Sequence, residues 1–323
     1  MSPDLYVGFD TSNYTTSASV CDAEGRVICN SRILLPVREG ERGLRQSDAV
    51  FFHVRNLPRV LADVRAAVRG GTVRAVGCSV SPRRAADSYM PCFLSGVAAA
   101  ETFAAAIDAP VLRFSHQEGH IMAALYSAGA QGLADRGRFA AFHVSGGTTE
   151  VLTVTPRPDG FDTEVVGGSA DLHAGQAIDR AGVLMGMQFP CGRELEAEAA
   201  KNTKPVPEPH ICVRDGFCHF SGLENMGEKL WHETGDRALV SAFVLRFCAK
   251  TLAALTAELD RREPGLPVVY AGGVMSNRFL QTVLAKRPDT YFAAPEFSAD
   301  NAAGVALLCR LSVNGGMTDE QGA

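Results

Sequence analysis

The chain has 323 residues, 46% of them hydrophobic and 21% charged, which is a globular composition long enough for two domains or two lobes. Its net charge of −5 and its pI near 5.9 argue against a protein that holds nucleic acid by itself, because such proteins are usually basic. Nine scattered cysteines without a CxxC pair argue against a disulfide framework and a cysteine zinc site, and they favour a reducing compartment.

The N-terminal residues Met-Ser-Pro-Asp lack the basic and apolar parts of a secretory leader. No apolar run approaches the ~20 residues that are needed to cross a bilayer. We therefore expect a cytoplasmic protein without a membrane contact.

Apolar periodicity and small-residue turns predict the elements of the first half of the chain. Strands are predicted at residues 5–10, 15–21, 27–35, 73–80 and 111–114, and helices at 48–68, 93–107 and 116–127. Residues 40–47 and 81–91 are predicted loops. Pro58 should either kink the long helix or mark its first turn.

The second half continues the alternation of strands and helices. Strands are predicted at residues 139–144, 149–155, 266–270 and 291–292, and helices at 174–185, 194–200, 238–259 and from 277. Residues 202–216 are a predicted loop. Asp300 and Asn301 should cap a final helix that ends near Leu311, with a loose tail over residues 313–323.

A strand, a turn of small polar residues and a second strand occur twice, first at Asp10 and again at Ser145. Each copy opens a half that then alternates strands and helices. This pattern predicts a duplicated α/β architecture of two lobes around a cleft. We place the N-terminal lobe at residues 1–115, with the helix near 300–312 packing back on it, and the second lobe at residues 116–299.

Two histidines, His116 and His120, stand four residues apart in the sequence HQEGH. On a helix both imidazoles point from one face, one turn apart, which is the spacing of two metal ligands. Two structural histidines would have the same spacing, so this alternative stays open. A zincin protease has glutamate directly after the first histidine, whereas this chain has Gln117 there, and Glu118 is turned away by about 100°.

Three turns have the residues that a nucleotide site needs. Ser145-Gly146-Gly147 would let backbone N–H groups approach a phosphate, and Asp10-Thr11-Ser12 adds a carboxylate that could help to hold a metal or water. Gly272-Gly273 leads from a strand into a helix and fits a nucleoside contact. Each is singly more often a tight turn, but together they favour nucleotide binding.

Eight short motifs follow one another along the chain. They are GFDTS (8–12), HQEGH (116–120), VSGG (144–147), AGQAIDR (174–180), FPCG (189–192), FSGL (220–223), AGGVMSN (271–277) and PEFSADNAAG (295–304). In this order they resemble the TsaD/Gcp family, also called the glycoprotease-like (M22) family, which synthesises threonylcarbamoyladenosine in tRNA. The resemblance covers residues 5–308, suggests a divergent paralogue and implies the α/β actin/Hsp70/sugar-kinase-like (ASKHA) fold, with a nucleotide cleft between two lobes.

The resemblance also implies site residues. In the family, the two histidines of the HxxxH motif and an aspartate bind a metal, and these correspond to His116, His120 and Asp300. Substrate and nucleotide contacts correspond to His143, Val144, Ser145, Gly146, Gly147, Asp179, Gly192, Gly272, Gly273 and Asn277, with Asp10, Thr11 and Ser12 as further candidates. No other catalytic residue is assigned.

The implied reaction is acyl transfer from an acyl-adenylate, threonylcarbamoyl-adenylate, to an adenosine of tRNA. One divalent metal per chain, iron or zinc with magnesium as an alternative, would polarise the carbamoyl group or hold its oxygens. An adenine nucleotide is the other expected ligand. The implied partners are proteins of the threonylcarbamoyl-transfer complex, with tRNA bound indirectly, and a dimer is possible.

The chain departs from the family pattern at several positions. These are Asn13-Tyr14-Thr15 for Cys-Asp-Glu, Ser81-Pro82-Arg83-Arg84 in place of a GPG loop, Thr148 for histidine, Leu172 for the second aspartate of SxDD, and a missing basic tail. Three alternatives to threonylcarbamoyl transfer are therefore weighed: carbamoyl transfer to another acceptor, a non-catalytic nucleotide-binding scaffold, and a metalloprotease, which the motif geometry disfavours.

Overall fold

The chain divides into two compact units in a computed structural model that describes residues 2–36, 44–85, 87–294, 297 and 302–314. Unit 1 comprises Met1–Tyr126, Pro156–Asp162 and Ala299–Ala323, and unit 2 comprises Ser127–Thr155 and Thr163–Ser298. The helix that starts at His116 thus lies almost wholly in unit 1, whereas the sequence pattern begins the second lobe at residue 116.

Unit 1 is built on a five-stranded sheet in the order β3-β2-β1-β4-β5. Its strands are β1 (Asp4–Ser12), β2 (Thr15–Asp22), β3 (Val27–Leu34), β4 (Thr72–Ser81) and β5 (Val111–Ser115). Strands β1, β2 and β3 form an antiparallel meander, and β4 and β5 run parallel to β1.

Helices α1 (Gln46–Ala67) and α2 (Phe93–Ile107) pack on one face of this sheet and α10 (Ala302–Asn314) on the other, and α3 (His116–Ser127) follows β5. Val7 and Phe9 of β1 join the apolar core with α1 and α2. Gly8, which points to the opposite face, lies against α10, where a Cβ atom would overlap the carbonyl oxygen of Ala302. Helix α1 runs through Pro58 without ending there.

Unit 2 is built on a seven-stranded sheet in the order β12-β11-β6-β7-β8-β10-β9. Its strands are β6 (Phe139–Val144), β7 (Thr149–Arg157), β8 (Gly160–Ser169), β9 (Cys212–Arg214), β10 (Phe217–His219), β11 (Val268–Ala271) and β12 (Thr290–Phe292). Strand β6 pairs antiparallel with β7 and parallel with β11, as β1 pairs with β2 and β4. The predicted duplication of the α/β architecture is therefore confirmed.

The described helices of unit 2 include one long helix, which four of the others contact. The helices are α4 (Leu133–Arg136), α5 (Ala174–Leu184), α6 (Gly192–Ala199), α7 (Ser221–Thr234), α8 (Arg237–Arg262) and α9 (Arg278–Leu284). Among the residues described, α8 has the length and composition of a membrane-spanning helix, but 67% of its apolar window is buried inside the protein. The prediction that no segment is so apolar is wrong for α8, because a core helix needs apolar residues on most of its surface.

Five described elements of unit 2 have no counterpart in the sequence prediction: α4, β8, β9, β10 and α7. Strand β8 follows a tight turn and has glycines at both ends, α7 contains two glycines and few apolar residues, and β9 lies within the segment 202–216 that is predicted as a loop. In unit 1, α10 continues through Asn314, past the predicted start of the tail at residue 313. Residues 315–323 lie outside the described part of the chain.

Helix α7 depends on a carboxylate from another segment. Asp171, which follows β8, accepts hydrogen bonds from the backbone N–H groups of Phe220 at 2.7 Å and Ser221 at 3.0 Å, where α7 begins. Burial alone would raise the pKa of Asp171, but hydrogen bonds from Ser221, Phe220 and Leu172 outweigh burial and hold the pKa well below its usual value. Asp171 therefore stabilises the start of α7 in its ionised form.

We predict that Asp171→Asn lowers the free energy of unfolding by about 1 kcal/mol at pH 7, because the side chain is partly exposed and its charged hydrogen bonds are weakened. The pKa is lower in the folded state, so this stabilisation is present at neutral pH and is lost as the pH falls below about 4. Urea unfolding of the wild type and the variant at pH 7 and pH 3.5 measures the difference. Glu164→Gln, at an exposed carboxylate of β8, is the control, and equal stabilities of the two variants at pH 7 would contradict the prediction.

Candidate functional site

The first turn of α3 is fixed by a reciprocal pair of hydrogen bonds. The hydroxyl of Ser115, the last residue of β5, accepts from the backbone N–H of Glu118 at 3.2 Å, and Glu118 Oε2 accepts from the backbone N–H of Ser115 at 2.7 Å. This is a capping box, in which a serine and the glutamate three residues later satisfy each other's N–H groups. Helix α3 consequently begins at His116.

Glu118 is a buried structural residue. Its side chain is 1% exposed, and its Oε1 accepts from the backbone N–H of Phe161 at 3.0 Å. Both carboxylate oxygens are therefore engaged by protein donors. A protease glutamate must instead reach the attacking water, so this environment further disfavours the metalloprotease alternative.

His116 and His120 lie next to each other on α3, as the helical spacing predicts. Their ring centroids are 4.6 Å apart in an edge-to-face arrangement. The Nδ1 atom of His116 is 2.8 Å from Oδ2 of Asp10, which is 1% exposed. A carboxylate on Nδ1 orients the imidazole and leaves Nε2 as the nitrogen that would ligate a metal.

Asp10 is held as a carboxylate by its neighbours. Its Oδ2 also accepts from the hydroxyl of Ser79 at 2.5 Å, and its Oδ1 accepts from the backbone N–H of Ser12 at 3.0 Å. Burial alone would raise the pKa of Asp10, but the charge and hydrogen bond of His116, with the hydrogen bonds from Ser79 and Ser12, bring the pKa below its usual value.

The two residues after Asp10 differ in what they contact. The hydroxyl of Thr11 is buried, donates to the carbonyl of Cys92 at 3.0 Å and accepts from the N–H of Gly96 at 2.9 Å. Thr11 therefore joins β1 to α2 through its side chain. Ser12 is half-buried at the end of β1, and its backbone N–H donates to the carboxylate of Asp10.

The described residues contain no group of three histidine, cysteine, aspartate or glutamate side chains that could hold a metal. The predicted third ligand, Asp300, lies outside the described residues. Helix α10 begins two positions later and contacts α3 directly, since a Cβ atom on Gly304 would overlap the carbonyl oxygen of Gly119. The glycine at position 304 thus allows the two helices to touch.

Unit 2 contains a groove of about 770 Å³ at the predicted nucleotide residues. Gly146, Gly147 and Asp179 line it, together with Arg180, Phe189 and Glu224. The groove lies where the turn after β6 meets the start of α5. The two backbones approach closely there because residue 175 is glycine, and a Cβ atom at that position would come within 2.8 Å of the backbone of Ser145 and Gly146.

Asp179 is fixed by the FPCG segment. Its Oδ1 accepts from the backbone N–H of Cys191 at 2.7 Å, so the carboxylate joins α5 to the start of α6. Four of the predicted glycines, Gly146, Gly147, Gly192 and Gly273, have no protein atom within 4 Å of where a Cβ atom would lie. The packing of the chain does not require glycine there, and each backbone is open to a ligand.

The remaining predicted residues have mainly structural surroundings. Gly272 has a φ of +101° and would overlap Val144 if it had a side chain, and Val144 is itself fully buried in the core. The amide oxygen of Asn277 caps α9 by accepting from the N–H of Leu280 at 3.1 Å. His143 is half-buried on β6, opposite Ala271 of β11.

The structure thus brings the predicted residues together in two groups, Asp10 with His116 and His120 in unit 1, and Gly146 and Gly147 with Asp179 in unit 2. The sequence pattern did not identify Phe189, Arg180 and Glu224 as groove residues. Phe189 belongs to the FPCG motif, but nothing in the sequence indicated that its side chain would be 74% exposed in this groove. The capping box did have one, the S-x-x-E spacing of Ser115 and Glu118.

A family model described as TsaD, tRNA N6-adenosine threonylcarbamoyltransferase, matches residues 89–307. The chain belongs to the TsaD family. A tRNA N6-adenosine threonylcarbamoyltransferase of Streptococcus equi subsp. zooepidemicus (strain MGCS10565) is 32% identical over 234 residues, which are 69% of this chain and 67% of that protein. The protein of the same description from Streptococcus equi subsp. equi (strain 4047) is 32% identical over 66% of this chain and 64% of its own length.

The alignments thus span about two thirds of these TsaD relatives. The region matched by the TsaD family model contains the HQEGH, VSGG and AGGVMSN motifs, whereas Asp10 precedes it. The hydrogen bond from His116 to Asp10 therefore links the matched region to the N-terminal strand.

Solved structures show the fold of this TsaD-family chain. Full-length HypF in its phosphate- and nucleotide-bound form has a TM-score of 0.56 at 13% identity and covers 97% of this chain and 55% of its own. The Acidaminococcus fermentans (R)-2-hydroxyglutaryl-CoA dehydratase component A has a TM-score of 0.52 at 14% identity over 95% and 97% of the two chains. The predicted actin/Hsp70/sugar-kinase-like fold is confirmed.

The contact between α3 and α10 can be tested by adding one methyl group. We predict that Gly304→Ala lowers the free energy of unfolding by about 1–3 kcal/mol, because the methyl group would overlap Gly119. Gly227→Ala is the matched control, since Gly227 lies in α7 with no atom within 4 Å of its Cβ position, and there alanine should stabilise the helix by about 1 kcal/mol. Urea unfolding measures both, and equal effects of the two substitutions would contradict the predicted contact.

Proposed function

We propose that this TsaD-family chain transfers a threonylcarbamoyl group from threonylcarbamoyl-adenylate to the N6 amine of an adenosine in tRNA. The observation that supports this most is the adjacent pair His116 and His120 in the HQEGH motif of the matched region, with the ring of His116 oriented by the buried Asp10. In the reaction, the amine nitrogen forms a bond to the carbamoyl carbon. The bond from that carbon to the phosphate oxygen breaks, AMP leaves with the electron pair, and the amine releases one proton.

The residues of unit 1 fit a divalent metal of the borderline type. Imidazole nitrogens are common ligands of zinc and iron, whereas magnesium prefers oxygen. His116 and His120 would hold the metal through nitrogen, and Asp300 would complete the set that the resemblance implies. When bound, such a metal would supply positive charge for the oxygens of the acyl phosphate. Asp10 holds the ring of His116 in place from the other side.

The nucleoside end of the donor is assigned to the groove of unit 2. Asp179 is held by Cys191 through Oδ1, so its carboxylate is oriented before a ligand binds. Such a carboxylate would accept hydrogen bonds from ribose hydroxyl groups. The open backbone at Gly146 and Gly147 would admit close contact with a nucleotide.

The proposal extends to partners. The net charge of −5 is unfavourable for binding tRNA by this chain alone, so basic accessory proteins would hold the tRNA. A homodimer and a cytoplasmic location remain predictions from the sequence.

The non-catalytic alternative is favoured by the altered N-terminal turn. The side-chain oxygen of Asn13 accepts a hydrogen bond from the side chain of Gln46 at 2.7 Å there, and no carboxylate follows in the sequence until Asp22.

The proposal predicts restoration of the tRNA modification in cells depleted of their own synthase. We expect the wild-type gene to restore threonylcarbamoyladenosine, measured by mass spectrometry of tRNA nucleosides. His116→Ala should lower the transfer rate about 100-fold, because the charge held at this site would be lost. His210→Ala, at an exposed histidine of unit 2, is the control and should behave as the wild type.

The same assay with purified chain, accessory proteins, threonylcarbamoyl-adenylate and tRNA removes the dependence on host partners. Adenylate binding without transfer would contradict the enzyme proposal and support the scaffold alternative. Transfer to a different acceptor would retain the chemistry but overturn the assignment of tRNA.

A further inference from the structure

The first turn of α3 is anchored from outside the helix by two other segments of unit 1. We call this the α3 anchor and define it as Pro82, Arg84, Glu118, Asp159 and Phe161. The first two residues lie in the loop after β4, and the last two lie at the tip of the β7–β8 hairpin. This loop is the one that replaces the GPG sequence expected from the family resemblance.

The loop satisfies a helix N–H group that has no partner within the helix. The carbonyl oxygen of Pro82 accepts from the backbone N–H of Gln117 at 3.0 Å, beside the capping box of Ser115 and Glu118. The first N–H groups of a helix otherwise lack acceptors. The conformation of the loop and the start of α3 are therefore coupled.

Arg84 connects the loop, the hairpin and the helix. Its Nη1 donates to Oδ2 of Asp159 at 3.0 Å, and its Nη2 donates to the carbonyl oxygen of Asp159 at 3.1 Å. The same Nη2 lies 3.5 Å from Oε1 of Glu118. The guanidinium is 33% exposed, whereas the carboxylate of Glu118 is 1% exposed, so Arg84 supplies a positive charge to a buried negative one.

The hairpin backbone approaches Glu118 closely because a glycine, Gly160, lies at the point of contact. Gly160 has a φ of +133°, and a Cβ atom there would overlap Oε1 of Glu118. Glycine at this position lets the N–H of Phe161 reach the same oxygen at 3.0 Å. The hairpin backbone and Arg84 thus share one oxygen of Glu118, and the capping box uses the other.

We infer that Arg84 is a positioning residue for the histidine pair and acts through Glu118. Glu118 sets where α3 begins, and His116 and His120 are the first and fifth residues of that helix. Without Arg84, the buried carboxylate loses its cationic neighbour, and the first turn loses one of its two contacts with the hairpin, leaving only the hydrogen bond from Phe161. The relative orientation of the two imidazoles then becomes less defined, which weakens metal binding.

This inference rests on the metal site of the proposed function, and cobalt binding tests it without any transfer assay. Co²⁺ is added to the full chain, and its visible absorption reports the dissociation constant and the ligand geometry. Arg84→Ala should weaken Co²⁺ binding about ten-fold and change the shape of the visible band, in keeping with the effect of residues that support metal ligands. Arg84→Lys, which keeps the charge, should recover part of the affinity.

Arg157→Ala is the matched control in the same hairpin. Arg157 donates to Asp159 at 3.0 Å and to Asp162 at 3.0 Å and has no ion pair with Glu118. The Arg157→Ala variant should bind Co²⁺ with an affinity within about two-fold of the wild type, because the α3 anchor retains Arg84. Asp159→Asn, which weakens the hold of the hairpin on Arg84, should lie between the two.

Thermal unfolding by circular dichroism checks that each variant is folded. If Arg84→Ala does not fold, the Co²⁺ affinities of Arg84→Lys and Asp159→Asn test the inference in its place. A wild-type affinity and spectrum in Arg84→Ala, or an equal loss in Arg157→Ala, would overturn the inference while leaving the metal site intact. A wild-type chain that binds no Co²⁺ would overturn the metal site and the positioning role together.

Discussion

The hydrogen bond between the buried Asp10 and Nδ1 of His116 is the contact on which the account of unit 1 depends. It joins the N-terminal strand to the first residue of α3, although the two residues are 106 positions apart in the chain. A carboxylate that is 1% exposed needs several donors to stay ionised, and Ser79 and Ser12 supply the others. The ring of His116 is consequently fixed before any ligand binds.

Close backbone packing makes this arrangement possible. Gly8 lets α10 lie against β1, and Gly304 lets the same helix touch α3 at Gly119. A methyl group at either Gly8 or Gly304 would overlap backbone atoms, which cannot move aside as a flexible side chain can. The glycines of these motifs therefore serve the packing of unit 1, whereas the open glycines of the unit 2 groove are not explained by packing.

The sequence predicted the repeated architecture well, because a short apolar run is broken by small polar residues in the same way at Asp10 and at Ser145. It failed for β8 and α7, whose apolar residues are too few to mark a period and whose positions are fixed by tertiary contacts such as Asp171 at the start of α7. Helical spacing correctly placed His116 beside His120. The partner of His116 could not be read from the pattern, since a contact between β1 and α3 depends on the whole sheet.

The roles of single residues were harder to predict than their positions. Asn277 was expected to contact a nucleoside, a role that stays a prediction, and its amide oxygen caps α9. Glu118 lies between the two histidines, one position after the place of the zincin glutamate, and the capping box and the hairpin use both its oxygens. In both cases the side-chain oxygens accept from backbone N–H groups that the fold brings to them, and the sequence pattern does not show which groups these are.

We expect His116 and His120 to bind one metal together, with Asp10 orienting the ring of His116. Extended X-ray absorption fine structure of the zinc-loaded chain measures this, because outer-sphere scattering from imidazole rings counts the histidine ligands. Two imidazoles are expected at about 2.0–2.1 Å from zinc in the wild type and one in His120→Ala. A wild-type spectrum with no imidazole scattering, or one that His120→Ala leaves unchanged, would show that the two histidines do not share a metal.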